Sequence, residues 1–153
     1  MALTLTSPAF SHQTKIPRRY TCEGEDVSPA LAWTDPPAGT KGLALINDDP
    51  DAPVGTWVHW VIYNIPPTSR GLEEHLPKTE KLPNGAVQGL NDFRRIGYGG
   101  PCPPPGRAHR YVFTLSALDT TLSLPAKATK AQLERAMEGH VLVRAELIGL
   151  YQR

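Results

Sequence analysis

The sequence predicts a mainly β chain folded as an antiparallel β-sandwich with one or two peripheral helices. Three observations predict it. The first is proline, 16 of 153 residues, about twice the usual share. Each proline removes a backbone donor and fixes φ, which short strands joined by stiff loops tolerate and a mostly helical chain does not. The second is a set of short runs rich in β-branched and aromatic residues. The third is that only one segment carries both the period and the caps of a helix. The runs follow one another without regular βαβ spacing, which favours an antiparallel sheet pair over a parallel sheet.

Taken in order, Ala2–Ser7 ("ALTLTS") alternates and reads as a short strand, and Ile16–Cys22 ("IPRRYTC") is a second candidate. Ala30–Trp33 is a third, followed by turn chemistry in "DPPAGTKG". Gly42–Asp48 ("GLALIND") is a buried strand, closed by the proline-rich "DPDAPVG". Thr56–Pro66 ("TWVHWVIYNIP") is apolar on both faces and therefore predicts a central strand covered on both sides. Periodicity fades from Pro66 to Pro105, with at most a weak strand around "AVQGLND". So long an aperiodic stretch inside one domain points to a functional loop region. His109–Asp119 is a strong strand, and His140–Tyr151 is the last one. Between them "TKAQLERAMEG" is a helix: Thr129 and Gln132 match a capping box, and Gly139 suits the stop. The 153 residues are read as one domain spanning 1–153.

Lys plus Arg is 16 and Asp plus Glu is 15, giving a net charge of +1. A near-neutral chain has no global electrostatic reason to bind nucleic acid or an acidic membrane surface. The N-terminus lacks a basic n-region and an apolar run, so no signal peptide is expected. No apolar stretch approaches the ~18 residues of a membrane span. A soluble, cytoplasmic protein is the expectation. The two cysteines, Cys22 and Cys102, have no CxxC spacing, and the reading favours two reduced thiols over a single long-range disulfide.

Candidate chemistry gathers in three places: "NDDPDAP" (Asn47–Pro53), His59 within "WVHWVIY", and His109 with Tyr111 at the head of a strand. Alternation points His109, Tyr111 and Phe113 one way, and gives His59 the face of Trp57, Val61 and Tyr63. A histidine in so apolar a run must be hydrogen-bonded. Asp48, Asp49 and Asp51 repel one another unless cations or donors face them. Asp before Pro is also ordinary turn chemistry. Ahead of His109, "GYGGPCPPPG" combines glycines with prolines, and successive N–H groups near Gly99 and Gly100 can form an anion-attracting nest.

"DPDAP" (Asp49–Pro53), "WVHW" with His59, "YTCEGEDVSPALAW" and "GGPCPPPG…HRYVF" together resemble the phosphatidylethanolamine-binding protein family, in its bacterial Raf-kinase-inhibitor-like branch. The resemblance covers nearly the whole chain. It implies the family's β-sandwich with a small pocket for phosphate, acetate or a phospholipid head group. It carries the pocket onto Asp49, His59, Gly100, Pro101, His109 and Tyr111, with Asp51, Pro53 and Trp57 in support. It also implies a cis peptide at Ala52–Pro53. Eukaryotic members continue past the last strand into a helix on the pocket rim, whereas this sequence ends at "IGLYQR". The pocket is thus the part carried over first. A regulatory or inhibitory role toward a kinase or protease partner is the finer expectation, and homodimerisation is compatible with this branch. No cofactor and no metal are implied.

The rival reading is a hydrolytic enzyme using the same Asp, His and Tyr residues for acid–base or metal chemistry. Against it, the sequence contains no GxSxG, and Cys102 sits between two prolines with no evident base.

Overall fold

β4 (Gly42–Asp49), β5 (Trp57–Ile65), β8 (His109–Leu118) and β9 (Val141–Tyr151) are the long strands of a six-stranded sheet ordered β2-β9-β8-β4-β5-β7. Its edge strands β2 (Thr14–Lys15) and β7 (Val87–Gln88) have two residues each, short enough to offer little template for edge pairing. A three-stranded sheet, β1-β3-β6, is made of Leu5–Thr6, Leu31–Trp33 and Gly71–Leu72. Every strand pair is antiparallel except β2 with β9. The computed structural model describes residues 2–153. Among these it contains two sheets and one α-helix, as the sequence predicts, and no helix is long and apolar enough to cross a membrane.

The alternation of the long strands builds two apolar layers. One face of the large sheet joins Leu43, Leu45, Trp60, Ile62, Phe113, Leu115 and Leu147 to Leu5, Leu31, Trp33 and Leu72 of the small sheet. The other face joins Ala44, Ile46, Val61, Tyr63 and Leu118 to Leu133 and Met137 of the helix α1, Lys130–Met137. The central strand β5 is therefore covered on both sides, as expected. Each fully buried aliphatic or aromatic side chain contributes roughly 1.5–3 kcal/mol, so the two layers supply most of the cohesion. The capping box is present in full: Thr129 accepts from the Gln132 N–H while the Gln132 side chain accepts from the Thr129 N–H. Gly139 follows the helix with φ +78°, a left-handed conformation that glycine adopts without a Cβ penalty.

Three expectations are corrected. Ile16–Cys22 is not a strand. The pairing lies earlier, at Thr14–Lys15, and Pro17 then leads a 3-10 turn, Arg18–Tyr20. Proline fixes φ and cannot donate to a ladder, so the strand ends there. Cys22 and Cys102 are not free thiols but form a disulfide, with Cα atoms 5.4 Å apart. The Cys22 N–H also donates to the Pro101 carbonyl at 3.1 Å, so the two segments are in register without the bond. The Ala52–Pro53 bond is trans, like every described peptide bond.

Candidate functional site

β4 and the turn that follows it deliver three carboxylates in four residues, and the fold separates them. Asp48 faces the helix layer, where Lys130 Nζ lies 2.6 Å from it. Asp49 faces the other way and accepts from His109 Nδ1 at 2.7 Å and from the Asp51 N–H at 2.8 Å. Asp51 accepts from the Arg110 backbone N–H and from both arms of its guanidinium, at 2.9, 3.0 and 2.9 Å. Hydrogen bonds from Arg110 outweigh desolvation and hold the Asp51 carboxyl at a pKa of about 2. The repulsion expected of three adjacent carboxylates is removed because each meets a different basic residue.

A β-bulge decides where His59 points. In the β4–β5 ladder Asn47 pairs with Trp60 and Asp48 with Val58, leaving His59 as the extra residue. An extra residue breaks the two-residue alternation. Val58, Val61 and Tyr63 therefore share the helix-facing layer. His59 instead stacks edge-on against Tyr111 at 5.2 Å and Phe93 at 5.3 Å. The expected shared face holds for Trp57, which meets the same Phe93 ring at 5.5 Å, and fails for Val61 and Tyr63. Bulges next to functional sites commonly re-aim a side chain in this way.

Asp49, Pro53, Trp57, His59, His109 and Tyr111 line one cleft of about 270 Å³. Ala52, Val54, Phe93, Cys102, Pro103 and Pro104 complete its walls. Of these, Val54 and Phe93 are not singled out by the sequence. Phe93 stands in the aperiodic region, where an exposed Phe carries no periodic signal. Asn91 gives a partial one, since Asn side chains fold turns onto their own backbone. Here its Oδ1 accepts from the N–H groups of Phe93 and Arg95.

Gly100 and Pro101 do not line this cleft. The Gly100 N–H donates to Asp26 Oδ1 at 2.7 Å, and the Gly99 N–H donates to the His59 carbonyl at 2.9 Å. The expected nest of free N–H groups is thus taken up inside the protein. Glycine is still required at 100, because a Cβ there would stand 2.3 Å from the Tyr20 carbonyl oxygen.

The polar atoms of the cleft are held by their far sides. His59 Nδ1 is 2.6 Å from the Gly99 carbonyl, which makes it the protonated ring nitrogen and leaves Nε2 without a protein partner. Burial dominates over the Gly99 carbonyl and the Asp49 charge and holds His59 below its ordinary pKa. The same geometry at His109 commits Nδ1 to Asp49 and leaves its Nε2 free of protein partners. The Tyr111 hydroxyl is buried and makes no hydrogen bond of ordinary geometry, although the Asp49 carboxylate approaches it; burial, followed by the charge and approach of Asp49, pushes its pKa far up. The Trp57 indole N–H is likewise buried and unpartnered. Cys102, the one sulfur in the wall, is bonded to Cys22 and offers no thiolate nucleophile.

A family model for phosphatidylethanolamine-binding protein matches residues 6–152. The chain belongs to that family. A UPF0098 protein of Methanothermobacter thermautotrophicus is 56% identical over 151 residues, 99% of either chain. Among solved structures, Escherichia coli YbcL, described as a new member of the mammalian PEBP family, is 34% identical. It superposes with a TM-score of 0.93 over 100% of this chain and 99% of its own. The PEBP homolog CT736 of Chlamydia trachomatis is 44% identical, with a TM-score of 0.91 over 99% of this chain and 98% of its own. The sequence motifs that suggested the family therefore led to the right one, and the cleft lies where those motifs meet.

Proposed function

We propose that this member of the family binds a small anion, phosphate or a phosphorylated head group, in the cleft above Asp49. One observation carries the reading. His59 Nε2, His109 Nε2 and the Tyr111 hydroxyl have no protein partner, and their residues line one small cleft with otherwise mostly apolar walls. Buried polar groups ordinarily find partners, and the exceptions call for a functional explanation. Tyr111 donates to an anion oxygen. Each histidine, with Nδ1 committed, offers Nε2 as an acceptor when neutral and as a donor when protonated. Asp49 does not face the anion as a donor; it fixes the His109 tautomer.

Because His59 is held neutral, binding a fully ionised anion takes up a proton. Affinity then rises as pH falls, by at most about tenfold per pH unit for one proton. Sulfate is the right probe, since its own charge is constant across this window. Calorimetry at pH ~8 and ~5.5, on either side of the ordinary histidine value, is expected to give the tighter binding at the lower pH. A His59→Ala, His109→Ala double variant that keeps its melting transition is expected to lose binding. If it binds sulfate or phosphate as the parent does, the cleft is not the anion site. A regulatory role toward a kinase or protease extends the same chemistry to a phosphorylated partner.

A further inference from the structure

A second cavity of about 350 Å³ lies beside the cleft and shares Phe93 and Cys102 with it. Its wall carries two cations, Lys78 and Arg95, and one carboxylate, Asp26. Asp26 is engaged: Oδ1 accepts the Gly100 N–H, and Oδ2 is 4.0 Å from Lys78 Nζ. Lys78 Nζ makes one hydrogen bond, to the Asp26 carbonyl at 3.1 Å. The exposed Arg95 guanidinium has neither an ion pair nor a hydrogen bond among the described residues, and of the basic side chains so placed it is the one that lines this cavity. The loop that carries it is fixed. Asn91 is buried, accepts from the Phe93 and Arg95 N–H groups, and donates to the Gly97 carbonyl at 2.9 Å. Phe93 is held edge-on to Trp57 and His59 and forms the wall between the two cavities.

We infer that the ligand of this protein is a bis-anionic organic molecule, its phosphoryl group in the cleft and a second anionic group, carboxylate or phosphate, between Lys78 and Arg95. The connecting carbons pass over the Phe93 ring. This rests on the anion reading of the cleft and adds what that reading lacks, because no Lys or Arg lines the cleft itself. A dianion beside Asp49 must draw a proton onto His59, whose burial opposes it, and that cost limits what the cleft alone supplies. A tethered second charge meeting a guanidinium gains a charge-assisted, geometrically matched contact. With the loop already ordered by Asn91, little conformational entropy is lost on engagement.

The test is a series of ω-phosphonocarboxylates of increasing chain length, set against alkylphosphonates of the same lengths and against inorganic phosphate, which probes the cleft alone. One window of chain length is expected to bind about tenfold more tightly than its uncharged-tail counterpart. Arg95→Gln is expected to erase that gain, and Lys78→Gln most of it, while inorganic phosphate keeps its affinity for both variants. If the carboxylate adds nothing at any length while phosphate and the alkylphosphonates bind, the second site is refuted and the anion cleft stands. If none of the probes binds, phosphate included, both fall together.

Discussion

Removing the Cys22–Cys102 disulfide perturbs a long loop, because the two residues are 80 apart in sequence. In the chain-entropy treatment, closing a loop of that length removes about 15 cal/mol/K from the unfolded ensemble, or ~4.5 kcal/mol at room temperature. Unfolding entropy scales with chain length, and for 153 residues it is roughly 0.32 kcal/mol/K, so the loss corresponds to a fall in Tm of about 14 °C. Both cysteines are exposed, so reductant reaches the bond in the folded protein. The assay is calorimetric melting of three samples: the oxidised protein, the protein in dithiothreitol, and a Cys22→Ala, Cys102→Ala variant. The last two are expected to agree and to melt well below the first. A loss of under ~1 kcal/mol in both would refute the reasoning, and so would two titratable thiols in the denatured, unreduced protein. The bond also bears on the site, since Cys102 belongs to the walls of both cavities. Reduction is therefore expected to weaken phosphate binding as well.

Two further outcomes separate binding from stability. Tyr111→Phe removes a buried hydroxyl that makes no hydrogen bond of ordinary geometry but lies beside the Asp49 charge, so the variant is expected to stay within about 1 kcal/mol of the parent in stability, while phosphate affinity falls about tenfold. Urea melting and calorimetry on one preparation read both, and a clear destabilisation would mean that the hydroxyl is satisfied within the protein. Asp51 is expected to titrate at about 2 when its carboxyl carbon is followed by NMR. Its folded pKa lies below the unfolded value, so its contribution is complete above pH ~4 and is lost as pH falls toward the folded pKa. Arg110→Ala is expected to move the titration up toward the ordinary carboxylate range, the residue 110 backbone N–H remaining as a donor, and an unmoved titration would exclude the guanidinium as the cause.

Much of the fold is legible residue by residue. "HRYVFTLSAL" and "TWVHWVIYNI" are strands because branched and aromatic side chains fit a pleated surface, and the structure has them at His109–Leu118 and Trp57–Ile65. Thr129 and Gln132 announce the helix because a capping box joins residues three apart. Asp49, His109 and Tyr111 could be nominated because alternation places His109 and Tyr111 together and a proline turn presents the carboxylates. What could not be read was partnership. No alternation rule reveals that His59 is an extra residue in the β4–β5 ladder. Nothing near Gly100 reveals that Asp26, 74 residues away, takes its N–H. Cys22 and Cys102 carry no spacing that pairs them.

Local rules thus settled the long strands, the helix cap and much of the short list of polar residues, because those depend on neighbours a few positions apart. The tertiary structure decided which basic residue meets each aspartate, which way His59 faces, and that the cysteines join. It also set Phe93 as the wall between two cavities. These are through-space contacts between segments brought together only when the sheets pack. Their energies depend on distance and burial, and neither quantity exists until the chain has folded.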